Sequence, residues 1–259
     1  APPVKKLLWS QEFNEAAGTA PISKFFDYDL GGGGWGNKEL QWYTEDAVKT
    51  NGEGQLEISV TKIPPVAEDE LPYNCFGDCQ YFSGRIKTQD KIRFKYGRME
   101  ARLKLPAGTG VWPAFWMLGS NIKAKGWPQS GEIDIMEHVG YDPGKVHGTV
   151  HTEAFNHLQG TQKGGQLLVP NFASEFHTYA VDWKPGQMDF FIDGKHYFTF
   201  KNTGKGPKEW PFDQPFYLIL NLAVGGNWGG KEGVDASIWP QRMEVDYVRV
   251  YKQNPQLHP

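Results

Sequence analysis

The stretch GEIDIMEHVG, residues 131–140, decides both the fold and the chemistry of this chain. Two β-branched residues, Ile133 and Ile135, alternate there with Glu132 and Asp134. Strict alternation of apolar and polar residues is typical of a β-strand that buries one face. The pattern therefore predicts a strand on which both carboxyl groups share the polar face.

Glu137 breaks this alternation by one residue and would point to the opposite face of a regular strand. A one-residue β-bulge around Met136 would return Glu137 to the face of Glu132, and we predict that bulge. Three carboxyl groups on one face repel one another and raise at least one pKa, as a general acid requires. A retaining glycosidase needs two such groups about 5–5.5 Å apart. The alternative from the pattern alone is an edge strand with a solvated acidic face.

Strand-like patterns also dominate the rest of the chain, and none of it shows a convincing helical period with caps. Many short strands joined by Gly and Pro turns predict an all-β sandwich. No linker, repeat or charge block marks a boundary, so we expect one catalytic domain over residues 1–259. The predicted strands are 55–60, 99–105, 145–152, 176–183, a hairpin over 188–200 that turns at Asp193-Gly194, a buried strand 215–224, and 242–251.

Composition narrows the class of partner. The formal net charge is −3 and no basic stripe is interleaved with aromatic residues, which argues against nucleic acid. No apolar run approaches the ~18 residues of a membrane span. The chain has 10 Trp, 11 Tyr and 16 Phe, a number that suits platforms for the faces of sugar rings as well as a core.

The chain has two cysteines, Cys75 and Cys79. They could form half of a zinc site, but no second pair of ligands completes it. We predict a small-loop disulfide, which fits an exported protein; two free thiols are the alternative. The first residue, Ala1, is not an initiator Met, and we expect a processed or trimmed chain.

The segment around the predicted catalytic strand resembles glycoside hydrolase family 16. The likeness rests on that strand, on Trp127-Pro128 before it and on WPAFWM at residues 112–117, and it extends over residues 12–251. It is nearest to the laminarinase-type endo-β-1,3-glucanases, many of which are bacterial and secreted. The resemblance implies a concanavalin-like β-jelly-roll: two curved antiparallel sheets with a long cleft on the concave face.

The resemblance also implies roles for the three acids. Glu132 would be the nucleophile, Glu137 the acid/base, and Asp134 the residue that helps to hold their protonation states. Lichenases and xyloglucan-active members lack the extra residue at Met136, whereas laminarinases, agarases and carrageenases carry it. The expected protein is a secreted, monomeric, retaining endo-hydrolase of β-1,3-glucan that needs no organic cofactor for catalysis.

Aromatic and imidazole side chains near this strand are candidates for substrate binding. In HGTVH, His147 and His151 share a face of a predicted strand; a strand histidine usually packs or is solvated, but the resemblance places His151 near the acid/base as a donor. Trp112 and Trp116 also share a face. Trp residues usually pack in a core, whereas the resemblance implies that these two and Trp127 line the glucose subsites.

A glycine-rich stretch at residues 31–36 lacks the Gly-Lys-Ser/Thr ending of a phosphate loop. Its continuation matches the family pattern GWGNxELQ, which implies that Asn37, and more weakly Trp35, contact sugar hydroxyls. Arg85 matches a family position near the subsites, with a surface salt bridge as the alternative. Trp228 lies in a second glycine-rich segment and is expected at the cleft rim on the aglycone side.

A calcium ion is implied by the resemblance alone. Many family members bind one on the convex face, and the matching ligands here are the carbonyls of Glu12 and Gly54 and the carboxylate of Asp246. Calcium accepts such a mixture of oxygen atoms, and its role would be structural.

Two rival functions remain open at this point. A non-catalytic glucan-binding module or lectin on the same scaffold would typically lack the carboxyl groups that are present here. A family member acting on mixed-linkage glucan, agarose or carrageenan is the other rival. The extra residue disfavours a dedicated lichenase, and a near-neutral chain gives no sign of the basic cleft that a sulfated polymer would require.

Overall fold

The computed structural model describes residues 6–64 and 79–252, which fold almost entirely into β-strands. In chain order the strands are β1 (Lys6–Gln11), β2 (Asp27–Tyr28), β3 (Gln41–Tyr43), β4 (Val48–Thr50), β5 (Leu56–Lys62), β6 (Tyr81–Ser83), β7 (Arg85–Lys87), β8 (Gly97–Lys104), β9 (Val111–Gly119), β10 (Glu132–His138), β11 (Lys145–His151), β12 (Lys163–Leu168), β13 (His177–Lys184), β14 (Gln187–Ile192), β15 (Lys195–Lys201), β16 (Phe216–Val224) and β17 (Gln241–Lys252). A four-residue helix, α1 (Ile122–Lys125), precedes β10.

Two sheets form the sandwich and confirm the predicted all-β class. The ten-stranded sheet runs β15-β14-β13-β8-β17-β5-β6-β3, with β1 paired to β17 and β4 paired to β5. The seven-stranded sheet runs β12-β11-β10-β9-β16-β7-β2. Neighbouring strands are antiparallel except β3 and β6, which pair in parallel and depart from the antiparallel expectation.

The core lies between the two sheets, and the predicted alternation explains how it is filled. In β8, Met99, Ala101 and Leu103 are fully buried, whereas Arg102 and Lys104 point outwards into ion pairs. Strand β16 is buried over its whole length, as its apolar sequence predicts. Apolar burial of this kind is the main favourable contribution to folding.

The predicted hairpin over 188–200 is also confirmed. Strands β14 and β15 pair across a turn in which Asp193 has φ 50° and Gly194 has φ 77°. Positive φ at both central residues is the requirement of a type I′ turn, which Asp-Gly meets readily.

The structure bears on the cysteine pair and on membrane spans only within the residues that it describes. Cys79 is buried, but Cys75 lies outside the described residues, so the disulfide stays a prediction. Within the described part of the chain, no helix has the length and apolar character that a membrane span requires.

Candidate active site

The predicted bulge is present in β10. Along the neighbouring strand β9, Asp134 lies opposite Trp116 and Met136 lies opposite Phe115, so that Ile135 is the extra residue. The side chains of Ile135 and Met136 are both fully buried in the core, although they are consecutive. Two successive inward residues reverse the alternation, and the strand continues with the opposite phase.

The bulge leaves three carboxyl groups on the face of the sheet that points away from the core. The two outer groups are each held by an indole ring: Trp127 Nε1 donates to Glu132 Oε1 at 2.9 Å, and Trp112 Nε1 donates to Glu137 Oε2 at 3.1 Å. Asp134 stands between them and is 1% exposed. The predicted catalytic residues are therefore brought together by one strand.

His151 lies beside Glu132 and Asp134, and not beside Glu137 as the resemblance implied. Its Nε2 atom lies 3.2 Å from Asp134 Oδ2 and 3.7 Å from Glu132 Oε2. The antiparallel register explains the difference, because β11 places His151 opposite Glu132 and His147 opposite Glu137. The expectation that His151 lies near Glu137 is therefore corrected: His147 is the register neighbour of that residue.

Burial raises the pKa of all three carboxyl groups. The pKa of Glu132 lies well above its usual value, first because of burial and then because of the Asp134 charge. Burial and the Glu137 charge likewise raise the pKa of Asp134. The pKa of Glu137 rises to about 8 through burial and the Glu132 charge, against the hydrogen bond from Trp112. Such values allow one group to stay protonated near neutral pH while another ionises.

Arginine and tryptophan side chains extend the polar face towards β7. The Arg85 guanidinium lies over the rings of Trp116 and Trp35, at 4.9 and 5.1 Å from their centroids. Arg85 also forms an ion pair with Asp29 at 2.7 Å. It therefore makes the salt bridge given as the alternative and also lies against two aromatic rings. Trp116 donates its Nε1 hydrogen to Asn221 Oδ1 at 2.8 Å, which fixes the ring.

The opposite side of the acids is bordered by Trp228. Its ring meets Trp112 edge-on at 5.7 Å and His147 edge-on at 4.9 Å. Trp228 is partly exposed and follows β16. The structure thus places Trp228 beside the indole that holds Glu137.

Three residues at the site, Glu39, Asn221 and His157, were not predicted from the sequence. Glu39 is the hydrogen-bond partner of Asn37. The Asn37 Nδ2 atom donates to the buried Glu39 at 3.0 Å. Glu39 stands inside the matched motif, where it could have been singled out. Asn221 could have been found as a polar residue in an apolar strand. His157, whose ring lies 5.1 Å from that of Trp127, had no signal in the sequence.

One metal-ligand set occurs among the described residues. Ligand atoms of Glu132, Asp134 and His151 lie within 4.8 Å of one another. Two carboxylates and an imidazole would suit a transition metal better than calcium. The raised carboxyl pKa values show that the same groups also favour protons.

The expected calcium ligands lie in or beside strands of the ten-stranded sheet. Asp246 is where β17 bulges away from β8; β1 ends nearby with Gln11 opposite Val248, and β5 begins with Leu56 opposite Val245. Glu12 directly follows β1 and Gly54 shortly precedes β5, so both flank strands that pair with β17, which carries Asp246. Carbonyl and carboxylate oxygens are of the type that calcium binds. The Asp246 carboxylate accepts a hydrogen bond from Arg102 at 2.8 Å.

Buried carboxyl groups bordered by tryptophan and arginine on one face of a β-sandwich are the arrangement that a glycoside hydrolase site requires. The chain belongs to the glycosyl hydrolases family 16, whose family model matches residues 35–249.

Relatives agree with this assignment over nearly the whole chain. A β-glucanase from Rhodothermus marinus is 45% identical over 256 residues, covering 95% of this chain and 85% of that protein. The X-ray structure of the laminarinase from Rhodothermus marinus has a TM-score of 0.88 and 44% identity, covering 98% of this chain and 100% of that one. It confirms the jelly-roll fold.

A third relative was solved with a sugar at its active site. This is a variant of a non-specific endo-β-1,3(4)-glucanase of family 16, co-crystallised with 1,3-β-D-cellotriosyl-glucose. Its TM-score is 0.87 at 44% identity, and the match covers 96% of this chain and 95% of that one.

Proposed function

We propose that this protein is a secreted, endo-acting hydrolase of β-1,3-glucan that retains the anomeric configuration. The observation that carries the proposal is the bulge in β10, which brings Glu132 and Glu137 to one face on either side of Asp134. The names of the β-glucanase and laminarinase relatives support the substrate.

In this mechanism Glu132 attacks the anomeric carbon while Glu137 protonates the departing glycosidic oxygen. Glu137 then removes a proton from water, which releases the glycosyl group from Glu132. The Trp127 hydrogen bond and the His151 imidazole favour the ionised form of Glu132. A pKa of about 8 keeps Glu137 protonated at neutral pH until it is needed as the acid. Asp134 couples the two groups, because its charge raises the pKa of Glu132 and the Glu137 charge raises its own pKa.

The glucan would cross the strands over the aromatic side chains. We assign Trp116, Trp35 and Arg85 to one side of the cleaved bond, because they continue from the acids towards β7. Asn37 would contact the sugar where its segment meets the one that carries Trp228. Trp228 is assigned to the aglycone side, next to the acid/base. Aromatic rings that offer a flat apolar face suit the C–H faces of glucose.

The test is Glu132→Gln, with reducing ends measured on laminarin. We expect hydrolysis to fall below detection while the circular dichroism spectrum and melting temperature stay close to those of the wild type. Glu45→Gln, at an exposed position, is the charge-matched control and keeps full activity. A Glu132→Gln protein with near-wild-type turnover would sink the assignment.

The stereochemistry needs a separate measurement. Proton NMR of the wild-type reaction at early times should show the β-anomer of the new reducing end before mutarotation. An initial α-anomer would mean inversion and would remove the role of Glu132 as nucleophile.

Mixed-linkage glucan is a second candidate substrate, favoured by the endo-β-1,3(4)-glucanase relative. Product profiles on laminarin, lichenan and agarose separate the possibilities. The presence of all three carboxyl groups argues against a non-catalytic binding module. Such a module would bind glucan in the same assays without forming new reducing ends.

The remaining expectations join the proposal. The protein would be an exported monomer with no organic cofactor in catalysis. A calcium ion held by Glu12, Gly54 and Asp246 would stabilise the ten-stranded sheet and take no part in the chemistry.

A further inference from the structure

Glu39 is a buried acid that the mechanism above does not use. It is 5% exposed and lies between two glycine-rich segments, residues 31–38 and 225–230. Its Oε2 atom accepts from Asn37 Nδ2 at 3.0 Å, and its Oε1 atom accepts from Gln41 Nε2 at 2.9 Å. Burial raises the pKa of Glu39, and the two amide hydrogens that its oxygen atoms accept act in the opposite direction.

The backbone around Glu39 joins the two segments. Glu39 forms an antiparallel bridge with Gly225, and Asn227 donates its backbone N–H to the carbonyl of Asn37 at 2.7 Å. The segment that carries Asn37 and the segment that carries Trp228 therefore meet at Glu39.

Gly226 forms the link from Glu39 to the catalytic acid. A Cβ atom added at Gly226 would lie 3.1 Å from Glu39 Cγ and 3.2 Å from the Trp112 ring, so the backbone fills the space between them. Trp112 in turn donates to Glu137. A continuous packed path thus joins Glu39 to the acid/base.

We propose that Glu39 is a positioning residue for the glycosidase reaction: it orients Asn37 at the cleft and packs through Gly226 against Trp112, the ring that donates to Glu137. This inference rests on the proposed function, since it assigns Glu137 as the acid/base. Glu39 itself touches no reacting atom in this view.

The charges around the two acids define what should change. Glu137 is faced by Glu132 and Asp134 from its own strand, by His147 from β11 and by Glu39 from the rim. The Glu39 charge is one of the contributions that raise the pKa of Glu137.

Glu39 has its own charged and titratable neighbours. It is faced by the Arg85 cation, which favours its ionised form, and by the buried Tyr43. Because the Glu39 charge is one of the contributions that raise the pKa of Glu137, removing it should lower that pKa.

The experiment is Glu39→Gln, with exposed Glu45→Gln as the matched control. Glutamine keeps only one of the two acceptor oxygens, so either Asn37 or Gln41 loses its partner, and KM on laminarin should rise about tenfold. The basic limb of the kcat/KM profile should move to lower pH, because Glu137 releases its proton more easily. Glu39→Asp, which keeps the charge, should restore the position of that limb.

Two outcomes would overturn the inference. One is an unchanged KM with an unchanged basic limb in Glu39→Gln. The other is a lower melting temperature with a parallel fall in kcat and no movement of the limb, which would show that Glu39 only supports the fold.

A readout independent of turnover separates this inference from the proposed function. Carbon-13 NMR titration of the Glu137 carboxyl, assigned with Glu137→Gln, should show a lower pKa in Glu39→Gln than in the wild type. If the wild type cleaves no glucan, the proposed function fails, and the titration still decides whether Glu39 acts on Glu137.

Discussion

Trp112 donates its indole N–H to Oε2 of Glu137 across 3.1 Å. A hydrogen bond to a carboxylate favours the ionised form, so this contact opposes the burial that raises the pKa of Glu137. The same indole is wedged against Trp228 on the rim. The ring therefore joins a binding surface to the protonation state of the proposed acid.

The first prediction concerns that hydrogen bond. Trp112→Phe removes the donor but keeps an aromatic ring, so the pKa of Glu137 should rise further above 8. The basic limb of kcat/KM should move to higher pH, opposite to the shift expected for Glu39→Gln. Initial rates on laminarin between pH 5 and about pH 10 would measure it.

Trp116→Phe is the matched control for this experiment. Its indole donates to Asn221 rather than to a catalytic carboxyl group, so KM should rise while the basic limb stays in place. Equal shifts of the limb in both variants would contradict the assignment of the Trp112 hydrogen bond.

The second prediction concerns stability against pH. Between its usual pKa of 4.5 and its folded pKa of about 8, Glu137 holds a proton in the folded state that the unfolded chain has released. The folded state therefore binds more protons in this window, and its stability must fall as pH rises through it. In Glu137→Gln the melting temperature should fall less between pH 4.5 and pH 8 than in the wild type. Each kcal/mol of pH-dependent stability that the substitution removes should correspond to about 2–4 °C.

Thermal melts across this range would make the measurement. Glu132 and Asp134 also have raised pKa values, so some pH dependence should survive in the variant. A Glu137→Gln protein with the same slope as the wild type would show that the folded pKa of Glu137 is not raised.

The third prediction concerns the bulge. Met136 is fully buried, so Met136→Ala should destabilise the protein by about 2–5 kcal/mol through loss of burial and the cavity it leaves. Because the next residue is Glu137, kcat should fall more than KM changes. Urea unfolding and steady-state kinetics would provide both values.

Met136→Leu nearly conserves the volume and should cost less than about 1.5 kcal/mol with most activity kept. If both variants lost activity equally, packing at this position could not be the cause.

The fourth prediction concerns calcium. Saturating calcium should raise the melting temperature, since an ion bound only to the folded state at 100 times its Kd adds about 2.7 kcal/mol. Chelation should reverse the gain without changing kcat, because Asp246 lies on the sheet opposite the acids. Asp246→Asn should abolish the gain.

Arg102→Gln provides the control, because it frees the Asp246 carboxylate from its ion pair. This variant should keep the calcium response and bind the ion more tightly. A response that persists in Asp246→Asn would place the ion elsewhere.

Much of the fold could be predicted because alternation reports which face of a strand is buried. The segment 99–105 became β8, and the Asp-Gly dipeptide specified the turn between β14 and β15. Strand order could not be predicted, since nothing local in β17 shows that it lies between β8 and β5. The parallel pairing of β3 with β6 was hidden for the same reason.

The candidate site was predictable where its residues share a strand. Glu132, Asp134 and Glu137 follow from the period of β10 and one bulge. Partners that come from distant segments were missed, as with Glu39, or set against the wrong acid, as with His151. Their positions depend on register between strands, which the pattern of a single strand does not contain.

Because the consecutive residues Ile135 and Met136 both point into the core, the alternation of buried and outward residues in β10 changes phase between them. Odd-numbered residues enter the core before this change and even-numbered residues after it, which is why His138 is buried against Phe172 with its Nε2 accepting the Gly144 amide. Losing one residue here would therefore turn everything downstream in the strand inside out unless the pairing with both neighbours slipped as well. Insertions and deletions in this strand should be far less tolerated than substitutions.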